Sequence, residues 1–149
     1  ALRTSRSSYF LEKSHFLFVY VFIDYSEFTK CLSQFHKLLI AGVHGSAVGL
    51  GVTMLPFFDM VYASDKATFY TPYVKLGQIP EAGATLTLPH LLGNAVTSEL
   101  IFGCRMLTAS EAQQFGLVTR VLWPDKFNEE LLPLARSIAS HSSQVKFNV

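Results

Sequence analysis

Seven residues, Gly45-Ser46-Ala47-Val48-Gly49-Leu50-Gly51, separate two apolar runs at 38–43 and 52–58. The first run reads as a buried strand. The glycines let the backbone bend and present its N–H groups, and the second run reads as a buried helix. A strand, a tight turn and a helix in that order aim unpaired amides at whatever lies over the turn. A further strand is expected at residues 59–63, and a short right-handed crossover makes it parallel to the first. This unit commits the chain to the α/β class.

The remaining pattern is consistent with one domain of 149 residues, long enough to bury a core. Residues 16–23 form the longest apolar run, taken as a buried strand with a helix as the alternative; about 20 residues are needed to cross a bilayer, so no membrane span is expected. Arg3, Arg6 and three nearby serines share features with an organellar transit segment, and Lys13 before the apolar run with a signal peptide lacking its cleavage site. Phe28, Cys31, Leu32, Phe35 and His36 recur at helical spacing, giving a helix that ends near Lys37. A short strand is expected at 67–70, and a shaped loop with two glycines and a proline at 76–83. Helices follow at 84–92 and 95–102, each stopped by a glycine. Thr108-Ala109-Ser110-Glu111 is a capping box for a helix ending before Gly116, and residues 117–123 alternate like a strand. Asp125 is expected to cap a last helix reaching residue 140, kinked at Pro133.

Composition narrows the function classes. Hydrophobic residues make up 50% and charged residues 15%, so part of the surface is expected to meet another chain or segment. A net charge of +1, from 12 basic and 11 acidic residues without a basic run, gives no footprint for nucleic acid. Cys31 and Cys104 stand alone and read as reduced, packed thiols. The five histidines show no ligand spacing, so no metal is expected. The glycine stretch is neither G-x-G-x-x-G nor a P-loop, and Ser46 is not centred in G-x-S-x-G, which sets aside dinucleotide, P-loop and hydrolase-elbow sites. Glu81 is the one carboxylate in an unusual setting, between Pro80 and Ala82-Gly83 in an apolar segment. Two readings stay open there: a carboxylate whose desolvation suits it to proton abstraction, or an N-terminal helix carboxylate favoured by the macrodipole.

Three motifs occur in order: Ile40-Ala41-Gly42-Val43-His44-Gly45-Ser46-Ala47-Val48-Gly49-Leu50-Gly51, then Phe58-Asp59-Met60-Val61-Tyr62-Ala63-Ser64-Asp65-Lys66-Ala67-Thr68-Phe69, then Leu76-Gly77-Gln78-Ile79-Pro80-Glu81. With Leu107-Thr108-Ala109-Ser110-Glu111-Ala112 and Gly116-Leu117-Val118 further on, the chain resembles the crotonase (enoyl-CoA hydratase/isomerase) superfamily. The resemblance implies an α/β crotonase (ClpP-like) fold of repeated ββα units, incomplete at both ends. It divides the chain into a divergent segment at 1–26 and a partial crotonase-like domain at 27–149.

Within the superfamily, the two hydratase glutamates align with Thr53 and Tyr73, neither of which can activate water. The glutamate of the peroxisomal-type Δ3,Δ2-enoyl-CoA isomerases aligns with Glu81. The resemblance therefore implies an isomerase of unsaturated fatty acyl-CoA, with Glu81 as proton shuttle and the N–H of Leu50 as oxyanion donor. Ala47, Val48, Gly49, Leu50, Phe57, Pro72, Tyr73 and Leu76 are the implied substrate contacts. Coenzyme A enters only as part of the substrate, and no separate cofactor is implied. The second oxyanion donor comes in the family from a glycine-containing loop, yet residues 1–41 hold no glycine. Chromodomain-Y-like proteins have a similar C-terminal domain and give the alternative, a non-catalytic acyl-CoA or protein-interaction module. The resemblance further implies a homotrimer or hexamer where the fold is complete. It points to a peroxisomal or mitochondrial location, or a nuclear one on the alternative.

Overall fold

A computed structural model describes residues 25–140; the strand expected at 16–23 lies outside them. The chain enters through helix α1 (Tyr25–Ser33) and then repeats one unit. In the first unit, strands β1 (Ile40–Val43) and β2 (Ser46–Val48) lead into helix α2 (Leu50–Thr53) and a 3-10 turn at Leu55–Phe57. In the second, strands β3 (Met60–Ser64) and β4 (Thr68–Tyr70) lead through a 3-10 turn at Val74–Leu76 to helix α3 (Ala84–Leu92). Helix α4 (Asn94–Ile101), strand β5 (Met106–Thr108), helix α5 (Ala109–Gln114), strand β6 (Arg120–Leu122), a 3-10 turn at Pro124–Lys126 and helix α6 (Phe127–Ser140) complete the described chain.

The two strands of each unit belong to different sheets. β1, β3 and β6 form one parallel sheet in that order, with Ala41 opposite Val61 and Ala63 opposite Val121. β2, β4 and β5 form the other, in which β2 runs parallel and β5 antiparallel to β4; Ala47 faces Phe69, which faces Leu107. This is the repeated ββα arrangement of the expected α/β class.

Side-chain alternation explains why β3 sits centrally in its sheet. Val61 and Ala63 enter the main core with Ala41, Phe69, Leu88, Leu100 and Leu107, while Tyr62 packs with Leu122 and Phe127 in a second cluster. A strand buried on both faces needs an apolar residue at every step, which residues 60–63 supply. α6 covers that second face through Phe127, Leu131 and Leu134, and comes so close to Gly42 that a Cβ there would lie 2.8 Å from Leu131 Cδ2.

Several boundaries differ from expectation for identifiable reasons. α1 stops at Ser33, not Lys37; the Ser33 hydroxyl bonds the Lys30 carbonyl (2.9 Å), and Phe35 is exposed. Cys31 is exposed rather than packed, whereas Cys104 is buried, and both are free thiols. The helix expected at 52–58 is split, because Pro56 lacks an N–H; the chain turns to 3-10 geometry at Leu55. Part of the glycine stretch is itself a strand, since β4 offers Ser46–Val48 a ladder. β5 went unrecognised because Met106–Thr108 is too short to show a period. β6 is confined to Arg120–Leu122, and Asp125 lies inside the 3-10 turn, so it does not cap α6. The Gly93 boundary and the Thr108–Glu111 capping box stand as read.

Glu111 accepts the Thr108 N–H (2.9 Å) and pairs with Arg105, which also bonds Glu99. The Thr108 amide first, and then the Arg105 guanidinium, hold the Glu111 carboxyl below the usual carboxylate range. A depressed folded value means that this stabilisation is full above the unfolded carboxylate value and fades as pH falls through the folded one. Urea midpoints measured from pH 7 downward should therefore fall in acid, and Glu111→Gln should flatten that fall while lowering the midpoint at neutral pH. Phe69, with no exposed surface, is the largest fully buried side chain among the described residues. Phe69→Ala should cost about 3–5 kcal/mol of unfolding free energy by urea denaturation.

Candidate active site

The glycine stretch is held from β4. Gly49 donates its N–H to the Tyr70 carbonyl (2.8 Å), extending the β2–β4 pairing one residue past Val48. Gly49 then turns with φ 56° and ψ −116°, a conformation that residues with side chains rarely adopt. Its carbonyl accepts the N–H groups of Val52 (2.9 Å) and Thr53 (3.1 Å), and the Leu50 carbonyl accepts that of Met54 (3.0 Å). The N–H of Leu50 has no acceptor among the described residues.

Tyr73 packs against this turn. It follows Pro72 at the exit of β4 and is 3% exposed; its hydroxyl lies 3.3 Å from Oγ1 of Thr53, which is fully buried. The Thr53 hydroxyl also reaches the Leu50 carbonyl (3.5 Å). Thr71 donates its hydroxyl to the Leu100 carbonyl (2.8 Å), fixing the start of the loop that carries Tyr73 to helix α4. The two positions that the resemblance matches to hydratase carboxylates are thus brought together, and a pair of neutral hydroxyls occupies them.

Glu81 is half-buried on the wall of an open groove of about 560 Å³. Phe57, Ala82 and Gly83 share that wall, and Thr29, Lys30 and Ser33 of α1 face them. Helix α3 packs against α2 and the 3-10 turn Leu55–Phe57, which brings Phe57 beside Glu81. The loop turns twice through left-handed backbone, at Ala82 (φ 54°) and Gly83 (φ 65°), and Gly83 caps α3 without a side-chain bond. Ala82 is not glycine, so this conformation is strained, a feature that clusters at functional loops. Glu81 lies two residues before the Gly83 cap of α3, and its carbonyl accepts the Ala84 N–H (3.0 Å) at the start of that helix.

The anticipated contacts therefore divide. Ala47, Val48, Gly49, Leu50 and Tyr73 gather at the β2–α2 turn, with Pro72 leading into Tyr73, while Phe57 and Glu81 share the groove, whose lining does not include Leu50. Leu76 is 62% exposed in its 3-10 turn. The α1 wall of the groove was missed; Thr29 and Ser33 are four residues apart on one helix, and only the tertiary docking of α1 gives that spacing meaning. No group of three His, Cys, Asp or Glu side chains among the described residues could hold a metal. No described helix is long and apolar enough to cross a membrane.

The family model for enoyl-CoA hydratase/isomerase matches residues 21–148. The mouse (Mus musculus) chromodomain Y-like protein is 42% identical over 113 residues, which cover 76% of this chain and 19% of that one. The mouse peroxisomal enoyl-CoA delta isomerase 3 is 42% identical over 119 residues, covering 80% of this chain and 38% of the isomerase. Among solved structures, an enoyl-CoA hydratase/isomerase from Pseudoalteromonas atlantica superposes with a TM-score of 0.76 at 40% identity, over 78% of this chain and 47% of its own. The chain thus spans less than half the length of each of these proteins. Gly49→Ala should destabilise by about 1–3 kcal/mol in urea denaturation, because an L side chain is strained at φ 56° and ψ −116°.

Proposed function

Because the chain belongs to the enoyl-CoA hydratase/isomerase family, we propose that it is an isomerase of unsaturated fatty acyl-CoA, moving a double bond from the 3 to the 2 position. Glu81 takes a proton from C2, leaving a dienolate whose negative charge rests on the thioester oxygen. The same carboxyl returns the proton at C4, so one base serves both steps and no water is consumed. The N–H of Leu50 meets the developing oxyanion, a task for which a backbone donor held by the surrounding turn is suited. The side chain at position 50 is not required for that bond, so leucine serves as well as glycine.

The observation that carries this reading is the Thr53–Tyr73 hydroxyl pair. Hydration needs an activated water and, in the family pattern, carboxylates at these positions; here neutral groups bond each other, and of the three family positions named only 81 holds a carboxylate. The 42% identity to a peroxisomal enoyl-CoA delta isomerase agrees with this. Phe57 and Ala82, beside Glu81, supply apolar wall for an acyl chain. Leu50 is the one oxyanion donor assigned, since residues 1–41 hold no glycine for the family's second donor loop. Coenzyme A is part of the substrate in this scheme, the assembly is a trimer or hexamer, and the compartment is the peroxisome or mitochondrion.

A second reading rests on the 42% identity to the mouse chromodomain Y-like protein: a module that binds CoA or a protein partner without turnover, in the nucleus. One experiment separates the two. Conversion of 3-enoyl-CoA should be measurable in the wild type and should fall at least about 100-fold in Glu81→Gln, general acid–base groups being worth about 10²–10⁴ in rate. Equal rates in the two proteins would remove Glu81 from the mechanism. CoA binding by calorimetry without turnover would favour the second reading.

A further inference from the structure

The Leu50 carbonyl can only accept hydrogen bonds, and the Thr53 hydroxyl has a single proton. When Thr53 Oγ1 donates to that carbonyl (3.5 Å), it must accept from Tyr73, whose hydroxyl lies 3.3 Å away. In that arrangement the order runs from Tyr73 to Thr53 to the Leu50 carbonyl. Both side chains are buried, at 3% and 0% exposure, where such bonds are not exchanged for water. The carbonyl at the end of this relay also receives the Met54 N–H (3.0 Å), the bond that closes the last turn of α2.

We propose that Tyr73 and Thr53 form a positioning pair, a directed hydroxyl relay that locks the first turn of α2 and so fixes where the Leu50 N–H points. α2 has only four residues and no side-chain cap, so its own hydrogen bonds are too few to hold it. The backbone bond from Gly49 to Tyr70 secures the turn on its β2 side. The relay secures it on the other side, from the same segment of chain that follows β4. Tyr73 also closes over Gly49, where an added Cβ would stand 3.8 Å from its hydroxyl oxygen. The significance of this pair for the oxyanion rests on the isomerase reading; the locking of α2 does not.

The test is a double-mutant cycle followed by amide hydrogen exchange on the whole chain, with Tyr73→Phe, Thr53→Val and the two combined. Each single change should speed exchange of the Met54 amide about tenfold, the combination should add little beyond either one, and the amides of α4 should stay at wild-type rates. Thr53→Ser keeps the hydroxyl and should retain the wild-type pattern. Unchanged exchange at Met54, additive effects, or an equal rise in α4 would each overturn the relay. In the 3-enoyl-CoA assay the same single variants should lower kcat with KM unchanged, whereas equal loss through both parameters would overturn the link to Leu50. A wild type that turns over no substrate refutes the isomerase reading and the link to catalysis with it, while the exchange result still decides whether the pair locks α2.

Discussion

The 2.8 Å hydrogen bond from the Gly49 N–H to the Tyr70 carbonyl joins the two halves on which everything else rests. It is the last rung between β2 and β4, and it ends each strand at the same level. On one side the chain must turn sharply through Gly49 into α2; on the other it leaves through Thr71 and Pro72 to Tyr73. Both departures begin from one fixed rung, so the start of a helix and a buried tyrosine meet at a separation that neither segment sets alone. The Thr71 hydroxyl on the Leu100 carbonyl extends the same frame to α4.

On the proposed isomerase reading, the distribution of roles follows from that frame. Groups that must not move, the amide of Leu50 and the hydroxyls of Thr53 and Tyr73, sit against the second sheet. Glu81 is carried on a loop shaped by two left-handed residues and faces an open groove. A group that receives and returns a proton along an acyl chain has to reach two carbons, whereas an oxyanion donor has to meet one atom. Rigid backbone suits the second task and a side chain with several rotatable bonds suits the first.

Much of this was legible in the residues. The parallel β1–β3 pairing followed from an apolar run, glycines and a second apolar run, and the Thr108–Glu111 box marked a helix start by chemistry that needs no tertiary partner. What could not be read depended on partners distant in sequence. Ser46–Val48 becomes a strand only because Thr68–Tyr70 lies beside it, and Met106–Thr108 only because the far side of that strand is open to pairing. Pro56 was a local signal overlooked within an apolar run, and it divided the helix as its missing N–H requires. At the site, the spacing around Glu81 left two readings open, and its place on the groove wall follows from tertiary docking that no local pattern shows. The groove wall on α1 has no signature in the sequence, because three ordinary polar residues acquire a role only once the helix is docked.

The position of β6 shapes how the chain reaches this structure as well as how it rests there. β6 lies against β3 in the parallel sheet, and the Val61 N–H bonds a threonine 58 residues further along the chain. Three helices and two strands lie between those partners. Loop-closure entropy rises with the length of chain enclosed, and contacts between distant residues slow folding. Local helix pairs such as α3 and α4 can form early, while the first sheet gains its third strand only when the chain has returned across the whole second unit. Until then Tyr62 lacks Leu122 and Phe127 as partners, and one face of the central strand is left uncovered. The helix that seals that face is the last element of the described chain, so the face closes only across the longest stretch of sequence.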